Sequence, residues 1–194
     1  MSKGSRTRER IVEAALREAS LIGLEGLTIG GLSASMAMSK SGLFAHFGSK
    51  EALQQAVIDR LVGDFTETVA APALEIPPGR ARLRAVMENW IAWSAAPERP
   101  GGCSMAAAAF EYDAKPGEIR DAVAKMFADW RRFLADCARE AQRIDLDPAL
   151  DPERLASDLL GVYFSQHLER WLLNEPDAGA RALARIDALL QPKT

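Results

Sequence analysis

The sequence predicts an all-α fold, with a small helical head followed by a larger helical body. Three observations carry this reading. Apolar residues recur at helical spacing from Thr7 onward, and no run alternates with period two. Capping residues (Thr28, Ser39, Ser49 and Asp151) stand at the starts of those apolar stripes. One stretch, "APALEIPPGRARL", holds Pro72, Pro77, Pro78 and Gly79, which cannot continue a helix. It divides a head at 1–69 from a body at 70–194.

In order, Ile11, Val12, Ala15, Leu16, Ala19 and Ile22 paint one face of a first helix that starts at about Thr7. Gly23 stops it, since glycine takes the left-handed conformation without a Cβ clash. Thr28 caps a short helix with Ile29, Leu32 and Met36 in step. "AMS" interrupts, and Ser39 caps another carrying Leu43, Phe44 and Phe47. Ser49 starts a longer helix through Leu53, Val57, Leu61 and Phe65. In the body, Leu83, Val86, Met87, Trp90 and Ile91 share a side until "PERPGG" breaks the helix. "CSMAAAAFEY" follows, and Pro116 opens a long helix with Ile119, Val123, Phe127, Trp130, Leu134, Cys137 and Ala141. Asp151 caps a helix with Pro152 at its preferred first position. Asp177 begins the last, with Leu183, Ile186, Leu189 and Leu190. There is no internal repeat and no low-complexity segment.

Composition excludes several classes. A chain of 194 residues with 48% apolar and 26% charged residues is an ordinary folded protein. No apolar run approaches the roughly 20 residues that cross a bilayer. The basic start "MSKGSRTRER" has no apolar stretch of signal-peptide type behind it, so a cytoplasmic location is expected. Cys103 and Cys137 lie far apart without metal-ligand spacing and are expected to be reduced, buried thiols. No metal or cofactor is expected. The net charge of −3 hides an asymmetry. Up to Lys50, 7 Lys and Arg stand against 4 Asp and Glu; the remainder is acidic. A basic head on an acidic body suggests that only the head meets a polyanion.

Two short helices joined by a tight turn in a basic head form a helix-turn-helix arrangement. Leu32, Met36, Leu43 and Phe47 glue the pair to its neighbours, which leaves Lys40, Ser41 and Gly42 facing outward. The first turn of the second helix can then enter a major groove.

At this point "TIGGLSASMAMSKSGLFAHFGSKEAL", preceded by "RERIVEAALREASLIGLEGL", resembles the TetR family of bacterial transcriptional regulators. The resemblance rests on Thr28 and Ile29, Ser39, then Leu43, Phe44, His46 and Phe47, and finally Lys50, Glu51 and Leu53. It covers about the first third of the chain. It implies a homodimer with an all-helical ligand-binding body and phosphate contacts at Thr28, His46 and Lys50; with these, Ser39, Phe44 and the outward Lys40, Ser41 and Gly42 are the DNA-binding candidates. Against the family pattern, Ala37 stands where glycine is usual. An alanine at positive φ costs about 1 kcal/mol, or the turn is reshaped. Phe44 replaces the usual tyrosine; it packs first, and second touches sugar or a thymine methyl. Gly30 and Gly31 weaken their helix by about 1 kcal/mol each, or admit a close neighbour or a phosphate. His46 beside two phenylalanines reads either as half-buried packing or, by resemblance, as a phosphate contact. Lys50 alone reads as a solvated charge, and beside a helix N-terminus as a phosphate clamp. Lys3, Arg6 and Arg8 form either a flexible arm onto DNA or a basic tail.

In the body, most aromatic residues are core at helical spacing. The centre of a helical ligand-binding domain nevertheless leaves room for a cavity. Trp90, Met105, Phe110, Phe127, Trp130, Tyr163 and His167 are the effector-binding candidates, with Asn89, Cys103 and Ser104 weaker ones. The expected effector is a small apolar or aromatic molecule. The last two helices carry more apolar positions than one intramolecular face hides, so Leu160, Trp171, Leu183 and Leu190 are expected at a dimer seam. An enzyme is not expected. Cys103 with His167 has no glycine-flanked nucleophile and no third orienting residue. The expectation is a dimeric, ligand-responsive regulator, most simply a repressor on a palindromic double-stranded operator. The alternatives are an activator and a helix-turn-helix module that binds protein.

Overall fold

The computed structural model describes residues 3–192, and the fold is all-α as the sequence predicts. The helices are α1 (Lys3–Gly26), α2 (Ile29–Ser35), α3 (Lys40–Phe47), α4 (Lys50–Phe65), α5 (Ala71–Leu74), α6 (Arg80–Ser94), α7 (Ser104–Tyr112), α8 (Glu118–Gln142), α9 (Pro152–Trp171) and α10 (Ala178–Leu189). Among the described residues, extended pairing is confined to one bridge between Leu146 and Pro192. Among those residues, no helix is long and apolar enough to cross a membrane.

The chain packs as two compact units. One holds the residues up to Gly63 together with Ala96–Ala124; the other holds Asp64–Ala95 and the residues from Lys125 onward. Ala96–Ala124 lies beyond the proline-rich stretch in the sequence, yet it packs in the first unit, with α7 against α1. Gly101 makes that approach possible. A Cβ there would stand 1.4 Å from the carbonyl oxygen of Ser20, so only glycine lets the two backbones come this close.

In the first unit each expected cap forms. Thr28 Oγ1 accepts from Gly31 N at 2.9 Å, Ser39 Oγ from Gly42 N at 3.0 Å and Ser49 Oγ from Ala52 N at 3.0 Å. Ile11, Ala15, Ala19, Leu27, Leu32, Leu43 and Leu53 are fully buried and make the core of this unit. Two expectations about α1 are corrected. It begins at Lys3 rather than Thr7, so Arg6 and Arg8 belong to a helix and not to a flexible arm. In the added length Arg8 is held with its Cζ 5.0 Å from the centre of the Phe47 ring. At the other end Gly23, with φ 77 and ψ 165, breaks the regular helix as expected. The chain then makes one further turn to Gly26.

In the second unit, Leu83, Val86, Met87 and Trp90 of α6, Leu155, Leu159 and Tyr163 of α9, and Ala182 and Ile186 of α10 are buried together with Leu134 of α8. Asp151 caps α9 twice, accepting from Glu153 N at 2.9 Å and Arg154 N at 3.0 Å. The expectation that Pro72 ends helical structure is corrected. The chain stays helical to Leu74 through a π-turn at Thr66–Ala70, and Pro72 sits in the first turn of α5. Proline lacks an N–H and crowds the carbonyl four residues back. The wider π register just before it relieves that conflict.

The turn between α2 and α3 keeps its left-handed residue even though that residue is alanine: Ala37 has φ 52. Replacing Ala37 by glycine should therefore stabilise the protein by up to about 1 kcal/mol, seen as a raised midpoint in urea with an unchanged slope.

Candidate functional site

The local sequence of α3 sorts its residues between two faces. Leu43 is fully buried, while Lys40, Ser41, Phe44 and Ala45 are exposed. Phe44 is 53% exposed, so the packing role considered first for it is not what this helix uses it for. Phe47 and Met36 are half-buried rather than core. His46 is half-buried, its ring 6.5 Å from that of Phe47 and tilted by 56°. Gly30 and Gly31 do admit a neighbour, and it is a side chain. A Cβ at Gly30 would lie 3.4 Å from Lys40 Cε, and one at Gly31 would lie 3.0 Å from Thr28 Oγ1. Ser39, Lys40, Ser41, Gly42, Phe44 and His46 thus lie within one turn-and-helix segment, and Thr28 caps the helix before it. Two of the hydroxyls are already used inward as caps.

Lys50 stands apart from that group. Its Nζ donates to the carbonyl oxygen of Glu25 at 2.7 Å and lies 3.5 Å from Glu25 Oε1. Around Glu25 a polar knot joins three helices of the first unit. Gln54 of α4, fully buried, donates to Leu24 O at 2.8 Å and to the Tyr112 hydroxyl at 2.9 Å. Tyr112, the last residue of α7, donates to Glu25 Oε2 at 2.7 Å, and Glu25 N donates to Glu111 Oε2 at 3.0 Å. Burial, and then the Glu25 carboxylate, push the phenol upward, so it remains a donor at neutral pH. The Tyr112 hydrogen bond, and then the charges of Lys50 and Lys115, hold the Glu25 carboxyl below its usual range. Sequence reasoning missed Glu25, Gln54 and Tyr112. Their partners are 25 to 87 residues apart in the chain, so no local pattern marks them.

In the second unit, five of the effector candidates gather at α6, α8 and α9. The rings of Trp90 and Tyr163 stack at 3.5 Å, Trp90 and Trp130 meet edge-on at 5.4 Å, and His167 lies 6.3 Å from Tyr163. Phe127 reaches the group through Phe164, at 5.7 Å. Phe65, an apolar position of α4, packs edge-on to Trp90, Trp93 and Trp130. Met105 and Phe110 belong to the first unit, the former buried and the latter 69% exposed. Several polar atoms of the aromatic cluster are buried without a hydrogen-bond partner among the described residues: Trp90 Nε1, Trp130 Nε1, Gln166 Oε1 and His167 Nδ1. Burial lowers the His167 pKa and keeps its ring neutral. Gln166, which sequence reasoning passed over, is 2% exposed.

Of the seam candidates, Leu160, Trp171 and Leu183 are half-buried, and Leu190 is 2% exposed within its own chain. Leu168 and Leu172 of the same region are exposed. Among the described residues, no group of three His, Cys, Asp or Glu side chains is placed to hold a metal ion.

Because the Glu25 carboxyl is held low in the folded state, it adds stability above the unfolded-state carboxylate range. That contribution is lost as pH falls through the folded-state value. The difference in melting temperature between the protein and its Glu25→Gln variant should therefore shrink steadily on acidification, as measured by thermal melts across the acid range.

Comparison with known proteins agrees with this architecture. Residues 79–186 match the model described as "Tetracyclin repressor-like, C-terminal domain", and residues 11–57 match "Bacterial regulatory proteins, tetR family". No curated protein matches the chain. Among solved structures, the fold is similar to a TetR transcriptional regulator from Chloroflexus aurantiacus J-10-FL, with TM-score 0.87 and 24% identity over 97% of this chain and 96% of that one. A TetR-family regulator from Cytophaga hutchinsonii is similar with TM-score 0.83 and 17% identity, over 98% and 96%. AibR, solved with isovaleryl coenzyme A and operator DNA, is similar with TM-score 0.75 and 24% identity, over 95% and 98%. With one family model matched over more than half of its length and another over its helix-turn-helix, the chain belongs to the TetR family of bacterial regulatory proteins, DNA-binding regulators of transcription rather than enzymes.

Proposed function

We propose that this protein is a cytoplasmic, dimeric repressor that leaves a palindromic operator when a small, uncharged and largely apolar effector binds its body. One observation carries the DNA side of the reading. The capped helix α3 buries Leu43 and turns Lys40, Ser41 and Phe44 toward solvent. In this reading Lys40 reads base edges and Phe44 packs on sugar or a thymine methyl. Gly42 lets the backbone come close, while Thr28, Ser39, Ser41, His46 and Lys50 meet phosphate. Lys50 would meet phosphate from a position where it also contacts Glu25. That AibR was solved on operator DNA with a small ligand supports a two-ligand reading for this fold.

The effector side rests on the aromatic cluster. A buried polar atom without a partner costs about 1–3 kcal/mol, and here several surround two stacked rings. A ligand that accepts from the Trp90 and Trp130 indoles and otherwise offers apolar surface meets that need. None of these side chains is charged, which favours a neutral ligand. Its binding acts on DNA only if one arrangement of the protein holds it better than the other. Met105 and Phe110 stand outside the cluster and are the weaker members of the proposed set.

The proposed dimer seam is built from α9 and α10. Leu160, Trp171 and Leu183 present surface there beside the exposed Leu168, and Leu190 supports them from within its own chain. Two-fold symmetry of the protein requires related half-sites in the operator. Light scattering should give the mass of two chains at all but the lowest concentrations; a monomer throughout would refute the seam.

Selection of bound fragments from random DNA, followed by a match to the flanks of its own gene, tests the whole reading. Recovery of a near-palindrome is expected, and failure to enrich any sequence would overturn it. With that operator in hand, Lys40→Ala should change which operator variants are preferred, losing roughly 1–3 kcal/mol at one base pair. Binding to a panel of operator mutants measures this, and an unaltered preference would remove Lys40 from the base-reading role.

A further inference from the structure

We propose that Glu25 is a built-in competitor of the DNA backbone for Lys50, and that Tyr112 and Gln54 set the strength of this competition. The inference rests on the reading of Lys50 as a phosphate contact. Its starting point is geometry. The ammonium expected to meet phosphate lies 3.5 Å from a carboxylate oxygen of its own chain and donates to the same residue's carbonyl at 2.7 Å. A phosphate arriving at Lys50 therefore meets an anion already in place, and the two anions repel each other across one cation.

The carboxylate is exposed, but hydrogen bonds hold it in place. Gly23 breaks α1 two residues earlier and turns Leu24 and Glu25 toward α4. Gln54, buried, fixes Leu24 O and at the same time orients the Tyr112 hydroxyl, whose proton then goes to Glu25 Oε2. Glu25 N is held in turn by Glu111 of α7. Lys115 lies 3.9 Å from Glu25 Oε1 and shares the charge. The phenol thus draws off part of the carboxylate's hydrogen-bonding capacity that would otherwise turn on Lys50. Tyr112 ends α7, so any shift of that helix alters how tightly Glu25 holds Lys50. Tyr112 and Gln54 are positioning residues in this arrangement; Glu25 is the competitor.

The two available substitutions move DNA binding in opposite directions. Glu25→Gln keeps the shape and the oxygen that accepts from Tyr112 but removes the charge. It should tighten binding several-fold at low salt and steepen the salt dependence, because Lys50 then neutralises phosphate fully. Tyr112→Phe keeps the charge and frees the carboxylate for Lys50, so binding should weaken and the slope flatten. Simple damage to the head would weaken both variants alike.

The test needs no operator, since a phosphate contact is independent of sequence. Binding of the full-length protein to a random-sequence DNA duplex is measured by fluorescence anisotropy at several salt concentrations, below each variant's melting temperature. The variants are Glu25→Gln, Tyr112→Phe, Lys50→Ala and the Glu25→Gln/Lys50→Ala pair. The expected result is tighter binding for Glu25→Gln, weaker for Tyr112→Phe, and no effect of Glu25→Gln once Lys50 is gone. If Lys50→Ala flattens the slope while Glu25→Gln leaves affinity unchanged or lowers it, the competition is refuted and the phosphate contact stands. If Lys50→Ala leaves the slope as it was, both the contact and the competition fall.

Discussion

A helix that shows its side chains to a partner can be held only from its other face, and in α3 that hold is Leu43. It is fully buried, as is Leu32 of the preceding helix, and these two residues set the rotation of the short pair. An eight-residue helix has little stability of its own, because nucleation is unfavourable and few backbone bonds follow it. Burial of Leu43 and the Ser39 cap together supply what the peptide lacks. The outward placement of Ser41 and Phe44 is a consequence of that hold, since residues one and two positions from Leu43 point away from its face, and Lys40 is exposed in the first turn of the helix.

The same short segment carries a local conflict. Ala37 adopts a left-handed backbone that favours glycine, and α2 contains two adjacent glycines that weaken it. Lys40 lies beside Gly30 at a distance that a Cβ would also tolerate, so no contact there requires glycine. Strain at a turn and weak helix propensity beside it are both tolerated because the buried leucines fix the outcome.

Charge and burial divide the molecule's polar chemistry into two kinds. In the first unit the polar knot at Glu25 is paired: Gln54, the Tyr112 hydroxyl and Glu25 N each meet an acceptor, and its carboxylate is stabilised by Tyr112, Lys50 and Lys115. In the second unit the polar atoms around Trp90 and Trp130 are buried and unmatched. A satisfied network rigidifies the elements that it joins, whereas an unsatisfied one carries a standing cost that a ligand can remove.

The sequence by itself determined the elements. Thr28, Ser39, Ser49 and Asp151 cap where a reader of hydroxyls and carboxylates would place them, and the apolar stripes run as their 3.6-residue spacing requires. Those signals are local, because a cap and its partner lie three residues apart. The helical arm at Lys3 and the helical course through Pro72 were not legible. Each depends on an interaction that propensity does not encode, the Arg8 stack on Phe47 and the π-turn before the proline. The motif residues of α3 were legible as a group. Lys50 was legible as a cation at a helix start, but its partner was not, because Glu25 is brought to it by the break at Gly23 and by Gln54 and Tyr112 from distant helices. Only the tertiary structure decided which charges meet and which polar atoms are left unmatched, since both are set by contacts between residues that the chain keeps far apart.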